Sequence, residues 1–195
     1  MSTSYNNIVG TDTANLLIGT SGADSIVALA GDDTIIGVGG TPDIANAGDG
    51  NDSIYINVNT TSASIQAGEG NDSIIVDAVL QQSTLQGAGG NDSIYISSTA
   101  TADFVGGGLG NDTLYLNSTA VSSTVYGGGG LDSLYFKEAV SGGTIWGGGS
   151  GDTSNDGADT IYFASSISGV TVNGNGGDDS IILTSSILAA SSVLG

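Results

Sequence analysis

The chain contains no cysteine and no histidine, and its only basic side chain is Lys137. Without cysteine there is no disulfide framework, which suits an extracellular protein that does without one and a cytosolic protein equally. Without histidine or cysteine there is no nitrogen or sulfur ligand set for zinc, and the usual nucleophile and base pairs of covalent catalysis are missing. Twenty acids against one base give a net charge of −19. Such a field repels nucleic acid phosphates and anionic lipid, and it attracts cations. Long apolar runs are also missing: the most apolar late stretch, SIILTSSILAASSVL, is broken by hydroxyls and is too short to cross a bilayer. The opening MSTSYNN has neither the positive start nor the apolar core of a cleavable signal peptide. Export is therefore expected to use a route without an N-terminal signal.

What is abundant is glycine, 34 of 195 residues, and it recurs at fixed intervals. The phrase GDGNDSIYI at 48–56 returns as GEGNDSIIV at 68–76, GGNDSIYI at 89–96, LGNDTLYL at 109–116, GGLDSLYF at 129–136, GADTIYF at 157–163 and GGDDSIIL at 176–183. Asp52, Asp72, Asp92, Asp112 and Asp132 stand twenty residues apart, Asp159 follows after twenty-seven, and Asp179 after twenty more. The seven-residue excess falls in a Gly/Ser/Asp-rich insertion near 150–156. Ahead of residue 46 the rhythm is nine, with Ile8, Leu17, Ile26 and Ile35 in one series and Asp24 and Asp33 in another. Asp43 belongs to a degenerate unit, IGVGGTPDI, that carries the only proline, Pro42. Two nine-residue units make an eighteen-residue coil, which puts Asp33 on the edge of Asp52 and leaves Asp24 and Asp43 on the opposite edge. Periods of this size mean a solenoid.

From residue 46 each coil reads as turn, strand, loop, strand. Ile54, Ile74, Ile94, Leu114, Leu134, Ile161 and Ile181 form one inward column, and Ile56, Val76, Ile96, Leu116, Phe136, Phe163 and Leu183 form another. Period-two alternation then points Tyr55, Ile75, Tyr95, Tyr115, Tyr135, Tyr162 and Ile182 outward. The second strand has Ile65, Leu85, Val105, Val125, Ile145 and Val172 inward, with Tyr126 and Trp146 outward. Gly68, Gly87, Gly107, Gly127, Gly147 and Gly174 follow, where the backbone is expected to leave the strand with positive φ. No segment keeps a 3.6-residue period, and the regular Ile, Val, Leu and Tyr argue for a packed interior over disorder. The expected fold is all-β, a single right-handed parallel β-roll or β-solenoid over 1–195, with a nonapeptide section at 8–45, twenty-residue repeats at 46–183 and a last coil at 184–195.

The run LLIGTSGADSIVALAGDDTI resembles the RTX, or repeats-in-toxin, family, whose nine-residue GGxGxD units build a parallel β-roll that binds Ca²⁺ in its turns. The twenty-residue section resembles it on one edge only, since loops such as NVNTTSA, SSTATAD and NSTAVSS carry no glycine-acid turn. The resemblance implies several calcium ions, held by Asp24, Asp33, Asp43, Asp52, Asp72, Asp92, Asp112, Asp132, Asp159 and Asp179. It also implies an extracellular or cell-surface protein exported by a type I route, with an uncleaved signal near the C-terminus.

The turn chemistry points to calcium independently. Stacked coils would set aspartates of one edge about 4.8 Å apart, and at an effective dielectric near 20 each bare pair repels by about 3 kcal/mol. A cation between coils reverses that sign. Calcium takes six to eight oxygens, more than one carboxylate supplies, so backbone carbonyls must join. Gly22, Gly31, Gly50, Gly70, Gly90, Gly110, Gly130, Gly157 and Gly177 stand two before an aspartate, and with Gly48, Gly68 and Gly108 they are the residues expected to turn carbonyls inward. Magnesium, which demands near-octahedral geometry, suits such a turn less well.

Three functions of different class follow. The first is a calcium-stiffened structural protein of the cell surface or matrix, assembling head to tail with copies of itself into filaments or a layer. That expectation rests on the lack of capping units around the terminal coils, seven residues before Ile8 and a coil ending at a strand near Ser191 to Leu194, with an inward Ile187 between. The second is an adhesive, ice-binding or carbohydrate-binding module, with surface polysaccharide as a partner of the outward tyrosines. Asn51, Asn71, Asn91 and Asn111 fit an ice-binding row, but the threonine row beside them is replaced by Asp49, Glu69, Gly89, Leu109 and Gly129. The third, an enzyme, is not expected: the chain lacks the residues for it, and nothing ahead of the repeats resembles a catalytic domain.

Overall fold

The computed structural model describes residues 4–39, 43–149, 156–185 and 191–195. Pro42, most of the insertion near 150–156 and Ile187 lie outside the described residues. Among those described there is no helix, and every strand pairing between coils is parallel.

Two long sheets run the length of the solenoid. One stacks ten strands in chain order from Asn6–Val9 to Ser192–Leu194, and the other stacks nine, from Leu16–Ile18 to Ser180–Leu183. The register repeats the sequence period: Ile74 faces Ile94, Ile94 faces Leu114, and Phe136 faces Phe163 across the inserted residues. Both predicted inward columns are buried as far as Phe163, with Ile54, Ile74, Ile94, Leu114, Leu134 and Ile161 all at 1% exposure or less, and their last members, Ile181 and Leu183, are partly buried. At roughly 1.5–3 kcal/mol per buried side chain, this continuous core supplies the main attraction between coils. Phe136 and Phe163 stack inside it with centroids 4.9 Å apart. The outer Tyr95, Tyr115, Tyr135 and Tyr162 also stack, with centroids 5.4, 4.6 and 4.9 Å apart and planes within 17°.

A third wall was not foreseen. The loops between the two long strands contain two-residue strands, Thr60–Thr61, Leu80–Gln81, Ala100–Thr101, Ala120–Val121, Val140–Ser141 and Ile167–Ser168, which pair into a six-stranded sheet of their own. Leu80, Ala100, Ala120, Val140 and Ile167 turn inward and close the core on that side. The twenty-residue coil is therefore three-walled, while the nine-residue section has two walls.

Gly68 takes the positive φ expected of it, but the role expected for Gly87, Gly107, Gly127 and Gly147 differs. The strands continue past them, as in Thr84–Gly89 and Phe104–Leu109, and positive φ falls one residue later, at Gly108 and Gly128. In the coil between Gly68 and Gly108 that place holds Ala88, which takes φ 93°. A side chain at such an angle costs on the order of 1 kcal/mol or more. Ala88→Gly is accordingly expected to stabilise the folded chain by about 1 kcal/mol, read as a higher midpoint in urea at fixed calcium.

Candidate metal ladder

Asp33, Asp52, Asp72, Asp92, Asp112, Asp132, Asp159 and Asp179 form a single file along one edge. The backbone N–H of each but the last donates to Oδ1 of the aspartate in the following coil, at 2.7 Å for Asp33 to Asp52, 2.7 Å for Asp92 to Asp112 and 2.9 Å for Asp159 to Asp179. Beside it runs a file of opposite sense. Asn71, Asn91, Asn111 and Leu131 donate their N–H groups back to Oδ1 of Asn51, Asn71, Asn91 and Asn111, at 2.7–2.9 Å. Leu131 has no side-chain acceptor to continue that file. Each turn is thus tied forward through its aspartate and backward through its asparagine.

The aspartate side chains point in. Asp33, Asp52, Asp72, Asp92, Asp112, Asp132 and Asp159 are 1–3% exposed, and in all of them, as in Asp179, Oδ2 is buried without a hydrogen-bond partner. A buried, unpartnered carboxylate oxygen is costly. What lies beside it is a glycine. A methyl group on Gly87 would fall onto Asp92 Oδ2 and the Gly107 carbonyl oxygen, and one on Gly127 or Gly147 would meet Asp132 Oδ2 with Gly147 O, or Asp159 Oδ2 with Gly174 O. Each of these glycines leaves open a space bordered by a free carboxylate oxygen of its own coil and a carbonyl oxygen of the next. Ahead of Asp33, Asp52 and Asp72 the same place holds the buried Ala28, Ala47 and Ala67, so the space is narrower there.

Burial, with neighbouring carboxylates, pushes Asp72, Asp112, Asp132 and Asp159 up to about 7. Asp92 is raised to about 6, by burial first, and Asp43 and Asp52 are raised for the same reason. Among the described residues no cation compensates. Lys137 Nζ donates to Asn117 Oδ1 at 2.8 Å on the outside of the solenoid.

The structure divides the predicted residues as their spacing implied. Asp24 and Asp43 sit on the opposite edge, where Asp24 N–H donates to Asp43 Oδ1 at 2.9 Å. Asp43 Oδ2 is buried and unpartnered, whereas Asp24 Oδ2 accepts the Thr20 N–H at 2.6 Å. Gly31, Gly48, Gly50, Gly68, Gly70, Gly90, Gly108, Gly110, Gly130 and Gly177 take positive φ in their turns, and Gly22 and Gly157 do not.

That second edge holds a residue the sequence reading missed. Ala63 N–H donates to Ser83 Oγ, Ser83 N–H to Asp103 Oδ1 and Asp103 N–H to Ser123 Oγ, at 3.2, 2.7 and 3.2 Å. Asp103 is 3% exposed, and its Oδ2 is buried without a partner. Burial raises it to about 6. The signal was the offset: 43, 63, 83, 103 and 123 are twenty apart, but the residue type changes at each step. Because the folded pKa lies above the unfolded one, the stability linked to this proton is full below about pH 4 and lost as pH rises through about 6. Asp103→Ser, which keeps an acceptor for Ser83, is therefore expected to raise the melting temperature at pH 8 and to lose that advantage by pH 5. A lowered melting temperature at pH 8 with calcium present would mean that Asp103 holds a cation instead.

The donor set of the main file is made of hard oxygens alone, carboxylate and carbonyl, with no histidine or cysteine anywhere in the sequence. Among the described residues no three acidic side chains gather at one point, so carbonyls have to complete any coordination shell. Oxygen donors shared between successive turns fit calcium, which takes six to eight oxygens in flexible geometry. The profile of the RTX calcium-binding nonapeptide repeat matches four copies here, over residues 9–42, 83–95 and 96–118. These stretches match RTX calcium-binding repeats. The RTX match leaves out Asp52, Asp72, Asp132, Asp159 and Asp179, yet the same file of hydrogen bonds runs through them. No curated protein and no solved structure matches the chain.

Proposed function

We propose that the protein is an extracellular structural solenoid that calcium holds folded and that joins end to end with copies of itself. The observation that carries the calcium part is the file of buried, unpartnered Oδ2 atoms beside glycine carbonyls. Asp92, Asp112, Asp132, Asp159 and Asp179 would hold the ions, with carbonyls of the next coil, such as Gly107 O and Gly147 O, beside Asp92 and Asp132. A bound ion would supply the positive charge that this edge lacks. The chain's own residues fix the spacing of the oxygens, keep bulk water from the core and pass each coil's N–H to the next carboxylate.

Cytosolic calcium is scarce, so such a chain stays unfolded inside a cell and folds on reaching the outside. That logic favours an extracellular location and export in the unfolded state by a type I route. The role is mechanical and not catalytic, in keeping with a sequence that offers neither histidine nor cysteine. Assembly is supported by the ends of the two long sheets. Among the described residues, strands Asn6–Val9 and Leu16–Ile18 pair on one side only, as do Ser180–Leu183 and Ser192–Leu194, and an open strand edge is a template for another chain. A contact between unlike ends is heterologous and propagates unless it closes a ring. Negative-stain images and light scattering at micromolar protein, with and without millimolar calcium, test this. Filaments or sheets in calcium alone are expected; a compact monomer in calcium overturns the assembly and leaves calcium binding standing.

A further inference from the structure

The outer face of the ten-stranded sheet carries a row that the calcium file does not use. Asn46, Gln66, Gln86, Gly106, Tyr126, Trp146 and Asn173 face one another coil after coil in register. The steps are those of the strand ladder, about 4.8 Å each. The row is uncharged. Glycine at 106 is the break in it, and Tyr126 fills that break. A methyl on Gly106 would fall onto Cζ, Oη and Cε1 of the Tyr126 ring, so the phenol lies down along the solenoid axis over the glycine. Its hydroxyl reaches the second coil away, where Gln86 Nε2 donates to it at 2.8 Å. Phe104, 39% exposed, braces the ring from the next row, centroids 4.9 Å apart and planes tilted by 48°.

This pose differs from that of the tyrosines on the other sheet. There the rings of Tyr95, Tyr115, Tyr135 and Tyr162 cover one another face to face. Ile75 and Ile182 stand in register at the two ends of the stack. That column offers edges and hydroxyls. Tyr126 lies against Gly106 with Phe104 at its flank, and it is itself partly exposed.

We propose that this row binds a neutral polysaccharide chain laid along the solenoid axis. A sugar ring has an apolar C–H face that packs on an aromatic face, and a rim of hydroxyls that need both donors and acceptors. Tyr126, held flat before any ligand arrives, supplies the first. The carboxamides of Gln66 and Asn46 supply the second, since each both donates and accepts. Gln66 and Asn46 also line, together with the acidic Asp49 and Glu69, an open depression of about 210 Å³ further along the same face. The repeat of the row suits a polymer, and preorganisation reduces the cost of binding it. Charge selects among polymers: at −19, with no basic residue in the row, an anionic glycan is repelled. The row does not depend on end-to-end assembly, and it needs calcium only for the folded coils.

The test uses the full chain in millimolar calcium, titrated with cellohexaose, maltohexaose and chitohexaose as probes. Binding is read by calorimetry and by the emission of Trp146, the only tryptophan in the sequence. At least one probe is expected to bind with a Kd at or below about 1 mM. Tyr126→Ala should weaken it at least tenfold, Gln86→Ala less, and Tyr115→Ala on the other sheet not at all. Should Tyr126→Ala fail to fold, Tyr126→Phe keeps the ring and frees it from Gln86, and a weaker complex with an intact circular dichroism spectrum supports the same conclusion. If none of the three probes binds to protein that circular dichroism shows to be folded, the inference fails and the calcium reading is untouched. Binding only to polygalacturonate, or equal loss in Tyr115→Ala, also overturns it.

Discussion

Stripped of calcium by a chelator at pH 8, the chain should lose most of its β-structure, and millimolar calcium should restore it. The size of the effect follows from the aspartate file. Its members are buried, their Oδ2 atoms lack partners, and neighbouring carboxylates along it repel by about 3 kcal/mol per step if all are ionised. Several such steps exceed the ~5–15 kcal/mol that holds a domain of this size together. Protons offer a weaker escape from the same repulsion. Asp72, Asp112, Asp132 and Asp159 are raised to about 7 and Asp92 to about 6, all above the unfolded value. Their proton-linked stability is full below about pH 4 and is lost as pH rises through 6 to 7. The calcium-free chain should therefore regain structure as pH falls from 8 to 5, while calcium affinity drops because protons compete for the same oxygens. Circular dichroism at both pH values, with metal analysis confirming removal, decides it. An unchanged spectrum in chelator at pH 8 would refute the calcium reading.

A single substitution should reverse its sign with the metal. Asp112 sits in the middle of the file, accepting the Asp92 N–H on Oδ1 and donating its own N–H to Asp132, both at 2.7 Å. Asp112→Asn keeps that acceptor and removes the charge. Without calcium at pH 8 the variant should be more stable than the parent chain by about 1–3 kcal/mol, because a buried, unpartnered carboxylate is gone. In calcium it should be the less stable of the two, with affinity at the adjoining sites down at least tenfold. Asp112→Ala removes the acceptor too and should lose stability in both conditions. The comparison needs only urea titrations of three proteins in calcium and in chelator. Asn and Ala behaving alike in both would mean that the carboxylate charge plays no part.

The sequence was most readable where the residue type repeats with the spacing. A fixed interval of twenty between Asp52 and Asp132 was enough to place them in one file, and strict alternation in SIYI, SIIV and TLYL was enough to separate core from surface. The twenty-seven-residue step to Asp159 was also legible, because the phrase resumes in phase. Two-residue strands such as Leu80–Gln81 are too short for any alternation to show, so the third wall was read as loop. Asp103 escaped because its neighbours in the file are Ser83 and Ser123, which share only an oxygen that can accept an N–H. Gly68 has the positive φ expected, whereas Gly87 and Gly127 were located correctly and explained wrongly: there the requirement is room for an oxygen, and turning the chain falls to the residue that follows.

The step across the insertion has a further consequence. Asp132 donates to Asp159 Oδ1 at 2.8 Å, and Phe136 faces Phe163, just as coils twenty residues apart are joined. The aspartate edge is indifferent to how much chain lies between two of its turns, provided the phrase GxDxI returns in phase. Duplication or deletion of one whole repeat in the gene would then lengthen or shorten the rod by a single strand spacing, about 4.8 Å, and leave every remaining junction as it was. Length becomes a quantity that inheritance can adjust in uniform increments, separately from the chemistry of any one coil.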